Sequence, residues 1–120
     1  MATKATGVVR KRASEKEIES MVFERQAQIC KAFASPIRLQ ILDLVSRGER
    51  SAAELQETLS ISKANLSQQM AVLKAAGVVA NRRGGKHIYY VLTFPEVKEA
   101  CQLIRKVLAA QVEGAYKMMQ

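Results

Sequence analysis

The segment from Ser51 to Gly77 constrains the fold more than any other part of the sequence. Ser51 is followed three residues later by Glu54, a pattern typical of a capping box, and the pair opens a short helix. After a turn over residues 60–62, the hydroxyl of Ser62 can cap a second helix that ends at Gly77. Two short capped helices across a tight turn predict a helix-turn-helix.

After Gly77 the sequence changes from helical spacing to strand-like runs. Val78–Arg83 and Lys86–Leu92 are rich in Val, Ile and Tyr, and they flank the pair Gly84-Gly85. A Gly-Gly pair between two such runs predicts a β-hairpin, because its turn requires positive φ.

Helices are predicted on both sides of this unit. Apolar residues at helical spacing indicate one helix from about Glu15 to Ala34, and Ser35-Pro36 begins a second helix that stops at Arg47-Gly48. Thr93-Phe94-Pro95-Glu96 begins a last helix that runs to about Gly114. The predicted fold is mainly α with a small β-hairpin, in the order α-α-α-α-β-β-α, which is a winged helix-turn-helix.

The chain is expected to form one folded domain with two short ends. Residues 15–114 form the predicted DNA-binding and dimerisation domain, and residues 115–120 a C-terminal tail. Residues 1–14 contain basic but no acidic side chains, which predicts a flexible basic arm or a solvated tail without a role. Dimerisation is expected because the first and last helices carry apolar stripes that one small core cannot cover.

The charge of the chain favours a polyanion as its partner. The 120 residues carry a formal net charge of +8, and basic side chains release counterions when they neutralise DNA phosphates. Hydrophobic residues make up 48% and charged residues 25%, as in folded globular proteins. No apolar run is long enough for a membrane span and the basic N-terminus lacks a secretory core, so we expect a soluble cytoplasmic protein without a membrane partner.

Three segments resemble the ArsR/SmtB family of small bacterial repressors. They are residues 34–42 (ASPIRLQIL), residues 61–70 (ISKANLSQQM) and the end of the predicted hairpin, residues 87–92 (HIYYVL). The resemblance implies a winged-helix homodimer joined through the first and last helices. It also implies that an inducer, usually a metal or a thiol-reactive species, lowers the affinity for an operator.

The second helix of the helix-turn-helix is the candidate recognition helix. With Leu66, Met70 and Leu73 facing the core, its other face carries small and polar side chains, and the candidate DNA-binding residues are Ser62, Lys63, Ala64, Asn65, Ser67 and Gln68. Gln68 and Asn65 can offer a paired donor and acceptor to adenine. A solvated polar helix face is the alternative. Two recognition helices in a dimer would read a pseudo-palindromic operator in double-stranded DNA.

The predicted hairpin, or wing, is strongly basic near its tip. Arg82, Arg83 and Lys86 suit contact with phosphate or the minor groove. The alternative is a charged edge that resists strand pairing.

The inducer sites of the family are not matched by this sequence. Ser51 and Ala53 stand where the family's third-helix thiolates would be, and residues 94–120 contain no Asp or His for its zinc site. Cys30 and Cys101 remain, on the first and last helices, which pack together in the family's dimer. They predict either a thiol switch, through a disulfide or persulfide bridge or capture of arsenite, or buried packing alone.

The sequence therefore predicts an inducible repressor, released by a thiol-directed signal at Cys30 and Cys101, with no cofactor and no dedicated metal site. The alternative is a constitutive winged-helix module that binds DNA or a protein and whose cysteines only pack. An enzyme is not expected, because the lone His87 would lie on the wing, away from both cysteines, and no Gly-rich loop remains to cradle phosphate.

Overall fold

The computed structural model describes the backbone of residues 2–120 and the side chains of residues 14–120. The order of its elements confirms the predicted winged helix-turn-helix and adds one short strand. The elements are α1 (Ala2–Phe33), α2 (Pro36–Ser46), β1 (Arg50–Ser51), α3 (Ala52–Leu59), α4 (Lys63–Ala75), β2 (Val79–Gly84), β3 (His87–Leu92) and α5 (Glu96–Met119).

Three serine hydroxyls cap the N-termini of the three central helices, α2, α3 and α4, as the sequence predicts. The Ser35 hydroxyl accepts from the Arg38 amide, and that of Ser62 accepts from the Asn65 amide at 3.0 Å. The Ser51 hydroxyl accepts from the amide of Glu54 at 3.1 Å, which is one half of the predicted capping box. Each cap satisfies an amide that has no partner within its own helix.

The wing belongs to a three-stranded antiparallel sheet in the order β1-β3-β2. Ser51 pairs with Tyr89, so the residue that caps α3 also extends the sheet. The predicted Gly84-Gly85 turn is wrong by one residue: Gly84 pairs with His87, and Gly85 and Lys86 form the turn. Gly85 supplies the positive φ of +62° that the hairpin requires.

The hydrophobic core packs helix α4, the candidate recognition helix, against the rest of the domain. The three predicted inward residues of α4 are at most 2% exposed, and they pack with Ile41 and Leu42 of α2 and Leu55 of α3. The sheet adds Val79 and Tyr90 to this cluster, and α5 adds Val97. Burial of this size fixes the orientation of α4 because each fully buried aliphatic side chain stabilises the fold by about 1.5–3 kcal/mol.

Both long helices extend further than the sequence predicts. Helix α1 begins at Ala2 rather than near Glu15, and α5 continues to Met119 rather than ending near Gly114, so residues 115–119 are helical instead of a separate tail. The basic side chains of the predicted N-terminal arm lie outside the side chains described.

Large apolar side chains on α1 and α5 are exposed in the single chain. More than half of each side-chain surface is open at Ile18, Met21, Val22, Phe23, Leu103, Ile104, Val107, Leu108 and Val112. On α5 only Val97 is buried, because most of the helix projects beyond the core. Among the described residues, no helix is long and apolar enough to cross a membrane.

Candidate nucleic-acid interface

Helix α4 presents a polar face opposite its buried one. Lys63, Ala64, Ser67 and Gln68 are exposed, as is the capping residue Ser62. This arrangement follows from the spacing of the buried residues, which recur every three or four positions along the helix. Besides Lys63 at its N-terminus, the exposed face carries small side chains and one long amide, so a base edge can approach the helix backbone closely.

Asn65 differs from the other candidate residues because it is only partly exposed. Its side-chain Oδ1 accepts a hydrogen bond of 3.0 Å from Nε2 of Gln69, one turn further along α4. Gln69 Oε1 in turn accepts from Nη1 of Arg38 at 2.9 Å. Asn65 is therefore held by a chain of polar contacts that begins on α2.

The three basic residues of the wing divide into two groups. Arg82 forms a two-point ion pair with the carboxylate of Glu49, and its guanidinium lies 4.6 Å from the centroid of the Tyr89 ring. Arg83 and Lys86 are exposed and make no ion pair with any described residue. Arg83 and Lys86 therefore have no acidic partner among the described residues, whereas Arg82 is already paired with Glu49.

The ion pair shifts the titration of both partners. Hydrogen bonding from Arg82 lowers the pKa of Glu49, although desolvation opposes the shift. The same hydrogen bond raises the pKa of Arg82. Both charged forms are therefore favoured across the physiological range.

The two cysteines have different surroundings. Cys30 is exposed on α1, whereas Cys101 is half-buried against the core and lines a cavity of about 490 Å³ between α2 and α5. Burial raises the pKa of the Cys101 thiol; Arg105 opposes the shift and Asp43 adds to it. Both thiols are free, and Cys30 does not line the cavity that holds Cys101.

The remaining titratable candidates do not assemble into a chemical centre. His87 is exposed on the wing, where its ring meets that of Tyr89 at its edge, 6.3 Å between centroids. Within the described part of the chain, no three His, Cys, Asp or Glu side chains are grouped as metal ligands would be.

Sequence reasoning missed three residues that shape this interface: Arg38, Gln69 and Glu49. Arg38 lies 31 positions from Gln69, and Glu49 lies 33 positions from Arg82. Helical spacing gives the pairing of Asn65 with Gln69, which are four residues apart, but nothing local indicates the two longer contacts.

Comparison with known proteins agrees with this geometry. Residues 33–82 match a helix-turn-helix domain family. An uncharacterized HTH-type transcriptional regulator of Mycobacterium tuberculosis is 39% identical over 89 residues, which cover 73% of this chain and 78% of the relative. Its crystal structure matches with a TM-score of 0.73 at 36% identity, over 79% of this chain and 96% of that one.

Two further proteins are similar over comparable lengths. The biofilm growth-associated repressor of Xylella fastidiosa is 33% identical over 89 residues, covering 74% of this chain and 78% of the repressor. The solution structure of a homodimeric winged helix-turn-helix DNA-binding domain from Mycobacterium bovis matches with a TM-score of 0.74 at 29% identity, over 80% of this chain and 89% of that one.

A capped helix-turn-helix followed by a basic hairpin defines a winged helix-turn-helix transcriptional regulator. Similarity to these regulators extends over most of both chains, well beyond the helix-turn-helix itself. The chain belongs to the ArsR/SmtB family.

Proposed function

We propose that this protein represses transcription by binding an operator in double-stranded DNA as a homodimer. The observation that carries the proposal is the division of α4 into a buried face of Leu66, Met70 and Leu73 and an exposed face of small and polar side chains. A helix held in this way can enter a major groove, and residues near its N-terminus then meet base edges.

Each candidate contact other than Asn65 has a chemical role in the proposal. Gln68 and Ser67 offer hydrogen bonds to base edges, and Lys63 suits guanine or a phosphate. Ser62 and Ala64 leave room for the backbone to approach the duplex. Arg83 and Lys86 on the wing bind phosphates beside the recognition helix. Arg82 contributes chiefly by orienting the wing, since Glu49 already holds its guanidinium.

Homodimerisation is supported by the apolar stripes on α1 and α5. A single chain leaves Ile104, Leu108 and Val112 more than half exposed on one helix. Burial of these residues against a second copy removes apolar surface from water, and the relative from M. bovis is itself homodimeric. Two recognition helices about 34–36 Å apart then read a pseudo-palindrome.

Selection from a random duplex library, followed by sedimentation of the protein, tests this function. We expect the selected sites to be pseudo-palindromes with half-sites one helical turn apart, bound by a dimer with an affinity that falls steeply as salt rises. A monomer that selects no duplex, or binding without salt dependence, would contradict it. Failure to select any duplex would favour a protein-docking module.

We further propose that a thiol-directed signal at Cys30 and Cys101 releases the operator. Cys30 and Cys101 lie on the two helices that carry the exposed apolar stripes. A two-electron oxidant can join the thiols in a disulfide, a polysulfide can oxidise them to a bridge with added sulfur, and arsenite can bind both with loss of water. Each of these would change the packing of α1 and α5, and with it the spacing of the recognition helices.

The alternative is a constitutive regulator, and the packing of Cys101 favours it. The thiol contacts the core and has a raised pKa, as expected of a small buried hydrophobic side chain. Operator binding by the reduced protein, with diamide, polysulfide or arsenite added in turn, separates the two. Release in wild type but not in Cys101→Ser supports the switch, whereas full release in that variant excludes Cys101 as its sensor.

A further inference from the structure

The last turn of α1 is connected to the recognition helix through one arginine. Arg38 donates from Nε to the carbonyl of Ala32 at 2.8 Å and from Nη2 to the carbonyl of Lys31 at 3.2 Å. These carbonyls lie at a helix end, where intrahelical partners are missing. The remaining nitrogen, Nη1, donates to Gln69 Oε1 at 2.9 Å, so one guanidinium joins α1 to α4.

The arginine determines the direction of every hydrogen bond that follows. A guanidinium only donates, so Gln69 must turn its oxygen toward Arg38 and its Nε2 group away. That group donates to Asn65 at 3.0 Å, so Asn65 must turn its Oδ1 toward Gln69. The Asn65 Nδ2 group makes no hydrogen bond with the described residues and is left for an external acceptor.

We propose that Arg38 and Gln69 are positioning residues that fix Asn65 as a hydrogen-bond donor toward the duplex. The inference rests on the proposed DNA-binding function and narrows it. Asn65 then reads a major-groove acceptor, such as guanine O6 or N7 or thymine O4. A paired contact with adenine, which the sequence alone allows, also needs Oδ1 turned toward the base, and Gln69 holds that atom on the protein side.

Substitutions at Gln69 test the proposal, because Gln69 connects Arg38 to the side chain of Asn65. Gln69→Met keeps the length of the side chain and removes both hydrogen bonds. We expect the preference for an acceptor at one base pair in each half-site to fall about tenfold. Asn65→Ala should remove the same preference, and the double variant should lose nothing more at that position.

Gln69→Glu gives a sharper result because it reverses the direction of the hydrogen bond between residue 69 and Asn65. A carboxylate accepts from Arg38 but cannot donate to Asn65, so Asn65 must turn Nδ2 inward and present Oδ1 to the duplex. The preferred base should change from an acceptor to a donor, such as cytosine N4 or adenine N6. A purely structural role for Gln69 predicts lower affinity for all sequences and no change of base.

The measurement is duplex selection with wild type and each variant, with melting temperatures as a check on folding. Gln56→Met is the matched control, since Gln56 is also half-buried, lies on α3 and is outside the network. If wild type selects no duplex, both this inference and the proposed function fail. If wild type selects an operator and both Gln69 variants keep its base preferences, only the positioning role is overturned.

Discussion

Arg82 in the wing and Glu49, 33 positions earlier, form a two-point ion pair beside the ring of Tyr89. Glu49 directly precedes β1, so the contact holds the wing to the segment that opens α3. Arg83 is the next residue on the strand, and successive side chains of a strand point to opposite faces. We therefore expect Arg82 to orient the wing and Arg83 to contact the duplex.

Breaking the ion pair from either side should loosen the wing equally. In Glu49→Gln and in Arg82→Ala, hydrogen exchange of the β2 amides should become about two- to fivefold faster, a small effect because exposed ion pairs stabilise a fold only weakly. The double variant should show no further increase. Unchanged exchange in both variants, with tighter DNA binding in Glu49→Gln, would instead make Arg82 a phosphate ligand.

The ion pair should also survive moderate acidification. The pKa of Glu49 in the folded protein is lowered from its ordinary value of 4.5 by the hydrogen bond from Arg82. The stabilisation is therefore fully present above that ordinary value and is lost as the pH falls through the lowered pKa. An NMR titration of the Glu49 carboxyl carbon should show this shift, and Arg82→Ala should return the pKa to the ordinary range. An unshifted titration in wild type would contradict the contact.

Gln68 and Arg83 should have separable effects on DNA binding. Gln68→Ala should relax base preference at one position of each half-site, at a cost of about 1–3 kcal/mol for the preferred sequence. Arg83→Ala should weaken binding to all sequences and reduce the salt slope by about one per subunit. Titrations of operator and scrambled duplex over a range of salt measure both. Uniform loss in both variants would mean that Gln68 does not read a base.

Cys101 should react slowly as a nucleophile in the folded protein. Burial raises its pKa above the ordinary 9.0, so less thiolate is present at neutral pH. In the Cys30→Ser variant, alkylation by iodoacetamide at neutral pH should be slower in the folded protein than in denaturant, and the folded rate should rise with pH over a higher range than the denatured rate. Equal rates in the two states would contradict the burial of this thiol.

A charge on the apolar stripe of α5 should separate the proposed dimer. Leu108 is 57% exposed in one chain, and Leu108→Glu would bury an unpaired carboxylate between subunits at a cost of about 3 kcal/mol or more. Sedimentation should show the dissociation constant rising roughly 100-fold. As a control, Ala53→Glu adds the same charge at an exposed position of α3 and should leave the dissociation constant of the dimer unchanged. A dimer unaffected by Leu108→Glu would place the interface elsewhere.

The helices and the core could be predicted because their signals are local. Ser35, Ser51 and Ser62 cap helices as expected, and Leu66, Met70 and Leu73 are buried as their spacing predicts. The predicted position of the hairpin turn is wrong by one residue because Gly84 and Gly85 both suit a turn. Only the pairing of Gly84 with His87 shows that the turn begins at Gly85.

The polar contacts around the interface could not be predicted in the same way. The bonds from Arg38 to Gln69 and from Arg82 to Glu49 join distant positions, and they form only after the core has placed α2, α4 and the wing. Strand β1 has two residues, too few for an alternating pattern, and its pairing with β3 depends on tertiary packing. The apolar stripes of α1 and α5, by contrast, are expected from the sequence to exceed what one small core can cover, and they are exposed in the single folded chain.

Ser51 serves two elements at once, since it pairs with Tyr89 in the sheet and caps α3 with its hydroxyl. The hairpin and the helix-turn-helix are therefore joined through this one residue. A chimera that takes the hairpin of a relative must also take residues 49–51, because a replacement that begins at residue 78 would lose the contacts that align the hairpin with α3.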